Sequence, residues 1–198
     1  MKSVLISIQP QWCELIANGK KTVEVRKNIP KLQTPFKCYI YCTNKKPFLV
    51  WGDVFRGNWE TEITFLSGYS REAAEKIWDI FNGKVMGEFI CNNVECFTTD
   101  YRMDKEQTKR ISGLSCVDMV SLMEYEANSP CLYGWHISDL VIYDTPKPLS
   151  MFYKECAGLD NTGLCYECEN AVGEECDCAV NGRLHLTRPP QSWCYVEE

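Results

Sequence analysis

Gly19-Lys20-Lys21-Thr22-Val23-Glu24-Val25-Arg26 is the stretch on which the fold turns. Immediately upstream, residues 10–18 have the apolar spacing of a short helix. Pro10 suits its first turn and Asn18-Gly19 its end. Downstream the pattern changes to alternation. With a period of two, Val23 and Val25 face one side of a strand, while Thr22, Glu24 and Arg26 share the other. A carboxylate and a guanidinium on one strand face, with Lys20 and Lys21 at its mouth, suit a polar ligand that carries an anion. An ordinary surface strand with a Glu/Arg pair is the plainer alternative.

Working outward, the chain reads as mostly β. Strands are expected over residues 3–8, 22–26, 37–43, 84–97, 134–143 and 192–197. Helices are expected over 10–18, over Ser70–Phe81 with Ser70 as N-cap and Asn82-Gly83 as stop, and over Ser115–Glu126. Short strands around one or two helices predict an α+β, mainly β fold, a small closed barrel that leaves no sheet edge exposed. One domain is expected over 1–198, with an insertion at 44–83 and a cysteine-rich excursion at 154–187 before the final strand.

The spacing Gly-x-Lys-x-x-Glu-x-Arg, formed here by Gly19, Lys21, Glu24 and Arg26, resembles the signature of the ASCH domain family of the PUA-like superfamily. Tyr133-Gly134-Trp135-His136-Ile137 resembles a late barrel strand of such domains. Arg188-Pro189-Pro190-Gln191-Ser192-Trp193-Cys194-Tyr195-Val196 is similar to the closing segment of phage-associated and bacterial members. The resemblance implies a PUA-like β-barrel that recognises RNA or a modified nucleotide. It also implies a second activity, because some relatives hydrolyse N4-acylcytidine and others are linked to RNA cleavage.

Composition fits one soluble core. Of 198 residues, 45% are hydrophobic and 24% charged. No apolar run approaches the roughly 18 residues of a membrane span, and no secretory leader is visible, so a cytoplasmic location is expected. The net charge of −6 conceals an asymmetry. Residues 1–60 hold ten Lys/Arg against four Asp/Glu, a net of +6, and the rest carries −12. The basic end coincides with the signature, where local charge can draw a phosphate, while overall acidity argues against extensive duplex binding.

Thirteen cysteines in a chain without a leader point to reduced thiols or metal. Cys156, Cys165, Cys168, Cys176 and Cys178 are the candidate zinc ligands. Cys165-x-x-Cys168 offers two thiolates from one turn, and Cys156 or His185 can replace a member of Cys176-x-Cys178. Residues 155–178 hold seven acids and no Lys or Arg, too polar to fold by burial, so a structural metal would supply their stability. The same acidic arm is alternatively a docking site for a protein partner. Cys13, Cys38, Cys42, Cys91 and Cys96 read as small core residues.

Two functions follow. As a binding module, the chain would place Lys20, Lys21 and Arg26 on phosphate or a carbonyl and Glu24 on a base amine. Trp135 or Trp193 would stack a base, a contact worth roughly 1–3 kcal/mol, with His136, Gln191 and Ser192 as further ligand contacts. Core packing is the plainer role for Trp135, and a hydrogen-bond network for His136. As an amidohydrolase, Lys21 would be the nucleophilic or activating group and Glu24 the proton carrier, with the Thr22 hydroxyl nearby. The hydrolysing relatives place a threonine where Glu24 stands, and their second acid has no clear counterpart here, Glu88 and Glu124 being candidates.

Overall fold

Pro10 fixes the first turn of α1 (Pro10–Ala17), and the sheet assembles on either side of that helix. In the computed structural model, residues 2–44, 80–100, 105–155 and 183–197 are described. In chain order, β1 (Ser3–Ile8) precedes α1, and β2 (Val23–Arg26), β3 (Phe36–Cys42) and β4 (Val85–Phe97) follow it. Next come α2 (Lys105–Ser115), α3 (Met119–Glu126) and the long β5 (Leu132–Lys147). The short β6 (Tyr153–Glu155) and β7 (Arg183–His185) form their own ladder, and β8 (Trp193–Val196) ends the fold.

Six strands make one sheet in the order β2-β5-β4-β3-β1-β8. The β1–β3 pair is parallel because α1 and β2 lie between them in sequence; every other pair is antiparallel. Three register shifts in the β4–β5 ladder strengthen the local twist and curl the sheet. The expected closed barrel is therefore corrected to a curled half-barrel. Among the described residues no ladder joins β2 to β8, and side chains span the gap instead. Trp193 Nε1 donates to Asn28 Oδ1 at 2.7 Å, and Arg26 Nη1 donates to Ser192 Oγ at 3.3 Å.

Alternation sorts the apolar residues onto two faces. Val4, Ile6 and Ile8 of β1 meet Cys38 and Ile40 of β3, Phe89 of β4 and Trp135 of β5, with Cys13 and Ile16 of α1 completing this core. On the other face, Leu5, Tyr39 and Tyr41 pack with Leu149 and Phe152. Val23 and Val25 of β2 meet Ile111 of α2 and Leu122 of α3 on that same face, further along the sheet. Gly134 is needed at this contact, since a Cβ there would sit 3.1 Å from Val23 Cγ1 and 3.3 Å from Ile111 Cδ1.

Cys13, Cys38, Cys42 and Cys91 are buried, whereas Cys96, expected in the core, is exposed near the end of β4. Of the expected Ser70–Phe81 helix, only Ile80 and Phe81 are described; they are helical, and Gly83 terminates that turn with φ of 71°. The Ser70 cap and Cys156, Cys165, Cys168, Cys176 and Cys178 lie outside the described residues. No described helix is long and apolar enough to cross a membrane.

Candidate functional site

The end of α1 sets the geometry of the site. Asn18 N–H donates to Glu14 O, and Gly19 takes the left-handed conformation (φ 73°) with its N–H on Ile16 O. The chain then turns so that Lys21 N–H reaches Leu15 O and Lys21 points inward. At the same place α2 ends with carbonyls that lack partners of their own. Thr22 N–H donates to Leu114 O, and Lys21 Nζ donates to Ser115 O at 2.8 Å, where a cation also suits the negative end of the helix.

From β2, Glu24 and Arg26 project to the side opposite Val23 and Val25. Glu24 Oε2 lies 3.2 Å from Lys21 Nζ, and Glu24 Oε1 lies 2.8 Å from Arg26 Nη2. Arg26 Nη2 also donates to Ser7 O at 2.7 Å. All three side chains are more than nine-tenths buried. Two cations against one carboxylate leave the trio with an excess positive charge. In a poorly solvated wall that charge favours an acceptor-rich partner.

This trio lines a cavity of about 450 Å³ between β1, α1, β2, α3 and the 190–192 turn. The Trp12 ring stands over Lys21 Nζ at 5.2 Å, a cation–π contact. Ser121 and Tyr125 of α3 close the opposite side, and Gln191 and Ser192 the rim. Asp118 caps α3 by accepting from Ser121 N–H at 2.9 Å and from Ser121 Oγ at 2.6 Å, which orients that wall. Burial pushes the Tyr125 phenol up against the opposing charge of Arg26, so Tyr125 presents a neutral ring and hydroxyl.

The structure thus brings together Lys21, Glu24, Arg26, Gln191 and Ser192 from the sequence-predicted set. The others go elsewhere. Lys20 and Thr22 are exposed and do not line the cavity. Trp135 is fully buried, edge-on to Phe36 with ring centroids 5.6 Å apart, and so offers no face to a ligand. Trp193 braces the gap between the sheet edges and packs on Tyr195. His136 lies on the α2 side of the sheet, where its Nε2 meets Glu95, which also binds Arg110. Neither Glu88, paired with Lys37 and Tyr143, nor the exposed Glu124 reaches the cavity. Sequence reasoning missed Trp12, Ser121 and Tyr125. Trp12 carried the only usable signal, an aromatic on the helix that leads into the signature.

Comparisons with known proteins come to one family. The profile for the ASCH domain matches residues 6–159. Two solved structures of the ASCH protein from Zymomonas mobilis are similar to this chain. One is ASCH itself (16% identity, 74% of this chain and 73% of that one, TM-score 0.47). The other is a mutant of the same protein (15% identity, 75% and 77%, TM-score 0.48). No curated protein matches the chain.

Proposed function

Because the chain belongs to the ASCH domain family, a PUA-like family, we propose that it recognises a single base of RNA, or a free modified nucleoside or nucleotide, in the Lys21–Glu24–Arg26 cavity. The observation that carries this reading is a buried, ion-paired trio in the wall of a cavity of about 450 Å³, roofed by an indole. That volume lies in the range of small-ligand sites, roughly 300–1,000 Å³. An unpaired or flipped-out base offers what such a site can read, a π-face for Trp12 or Tyr125 and a polar edge. Lys21 and Arg26 supply charge toward carbonyl or phosphate oxygens. Each Glu24 oxygen keeps a second lone pair with which to accept from an exocyclic amine. Gln191, at the rim, offers both a donor and an acceptor.

One observation favours a hydrolytic reading beside it. Lys21 Nζ and Glu24 Oε2 are 3.2 Å apart in the cavity wall, an amine and a proton acceptor of the kind that attacks or polarises an acyl group. Binding and turnover against nucleosides, N4-acetylcytidine and short RNAs, with Lys21→Ala and Trp12→Ala beside the wild type, separate the two readings. For a reader, Trp12→Ala weakens binding roughly 5- to 150-fold, the equivalent of a lost stacking contact of about 1–3 kcal/mol. Release of acetate that disappears in Lys21→Ala makes the protein a hydrolase. A folded wild type that neither binds nor turns over any of the panel removes the cavity reading.

For residues 156–178 we propose a structural zinc, held by four ligands drawn from Cys156, Cys165, Cys168, Cys176 and Cys178, with His185 as an alternative ligand. Protein purified without chelator should carry one zinc per chain, lost when Cys165 and Cys168 become Ser. Metal-free protein with a protease-resistant tail rules it out.

A further inference from the structure

The hydrogen bonds that the buried trio already makes define what it can still offer a ligand. Lys21 Nζ carries three N–H groups. One meets Ser115 O at 2.8 Å and one meets Glu24 Oε2 at 3.2 Å, which leaves the third. Arg26 Nη2 engages both of its N–H groups, on Ser7 O at 2.7 Å and on Glu24 Oε1 at 2.8 Å. Nη1 donates to Ser192 Oγ at 3.3 Å and keeps its other N–H. Arg26 Nε is buried and has no partner among the described residues. An unmet donor on a side chain nine-tenths buried is costly, and this side chain lines the cavity. A ligand acceptor would meet it.

Glu24 supplies the opposite half of the pattern. Each of its carboxylate oxygens accepts from one cation and keeps a second lone pair. Lys21 flanks Oε2 and Arg26 flanks Oε1, so the wall runs donor, acceptor, acceptor, donor. Two carboxylate oxygens side by side pair best with two adjacent N–H donors. The edges of the bases differ on this point. Uracil has one N–H between two carbonyls, so a carbonyl oxygen would face the second carboxylate oxygen. Cytosine and adenine set a single amine beside a bare ring nitrogen, whose lone pair would face it instead. Guanine alone of the four has adjacent donors, N1–H and the N2 amine, with the O6 carbonyl before them and the N3 acceptor after them.

We propose that the base read in this cavity is guanine, an assignment that rests on the base-recognition reading above and names its ligand class. N1–H and the N2 amine donate to Glu24 Oε2 and Oε1. O6 accepts from the remaining Lys21 N–H, and N3 accepts from an Arg26 N–H that has no protein partner. A cavity of about 450 Å³ admits a purine. Discrimination follows from the burial of the trio. Any other base leaves at least one of these desolvated groups unmet or faces it with a like partner, and that penalty separates ligands of similar size.

The test is calorimetric titration of the full wild-type chain. The ligands are the four common ribonucleoside 5′-monophosphates, inosine 5′-monophosphate, 1-methylguanosine 5′-monophosphate and short RNAs varied at one central base. Guanine should bind roughly 5- to 150-fold tighter than adenine, cytosine or uracil, the worth of one bidentate pair. Inosine, which lacks the N2 amine, should fall between guanine and the rest. The 1-methyl compound, which lacks the N1 proton, should fall to the level of adenine. Folded Glu24→Gln offers one acceptor beside one donor, so its preference should move to adenine or cytosine. Equal affinity for all four bases, tighter binding of a base other than guanine, inosine matching guanosine, or a guanine preference kept in folded Glu24→Gln each overturn the guanine assignment and leave the cavity reading standing. Wild type that binds none of the panel removes the cavity reading and this assignment with it.

Discussion

Two carboxylates in this molecule each sit between two nitrogen-bearing side chains, and the resemblance ends there. Glu24 is held by Lys21 and Arg26, and none of the three side chains is more than 9% exposed. Glu95 is held by Arg110 and His136, whose side chains are 46% and 23% exposed. The first trio ties the end of α2, β2 and β1 together through Ser115 O, Ser7 O and its own ion pairs, and it lines a cavity. The second clasps α2 to β4 and β5. Matching numbers of partners carry unequal consequences, because water screens one set and is excluded from the other.

The largest effect should follow from cutting the buried trio. Glu24→Gln leaves Lys21 and Arg26 facing each other without their anion, and the expected loss is about 3–5 kcal/mol of unfolding free energy. Urea unfolding of wild type and variant measures it. A cost below about 1 kcal/mol would mean that the two trios are energetically alike and that burial does not separate them.

That contrast was only half legible in the sequence. The alternation over Val23–Arg26 separated its apolar and charged faces, and the spacing from Gly19 placed Lys21 beside Glu24. These are local relations, and local relations survive folding. What covers the site is not local. Trp12 arrives from α1, Tyr125 and Ser121 from α3, and Gln191 and Ser192 from the far end of the chain. The helix α2 went unread because KEQTKRISGLS offers only Ile111 and Leu114 as apolar anchors, while buried Thr108 fills its third inward position by donating to Thr98 O. The expected start of the next helix at Ser115 moved to Met119, because Asp118 caps the helix there. Glu95 and His136 were invisible as a pair, since only the bulged β4–β5 register brings them together. The open sheet edge escaped as well. Nothing in Trp193 or Asn28 announces that a side-chain bridge will replace a ladder.

A smaller effect should come from the second trio. Arg110→Ala removes the more exposed partner of Glu95, and Gln107 remains within reach of the same carboxylate oxygen. The expected cost is about 0–1 kcal/mol, diminishing further in 1 M salt. A salt-insensitive loss of several kcal/mol would place Glu95 with Glu24 as a buried centre.

The finest discrimination is in pH. Burial pushes the Glu95 carboxyl up, but hydrogen bonds from Arg110 and His136, the Arg110 charge and Gln107 together outweigh it and hold the carboxyl below its ordinary value of 4.5. A carboxyl whose value falls on folding stabilises the folded state above its unfolded value. That contribution fades as pH drops through the lowered one. The stability contribution of the Glu95 carboxylate, read as the difference between wild type and Glu95→Gln, should therefore be present above the unfolded value and shrink as pH falls through the lowered one. Glu126 and Asp118 are also held low, by the Thr99 and Ser121 hydrogen bonds, so both proteins weaken together on the acid limb and the subtraction isolates Glu95. A difference that stays flat throughout the acid limb would mean that Glu95 acts through shape and neutral hydrogen bonds. The second trio would then differ from the first in chemistry as well as in burial.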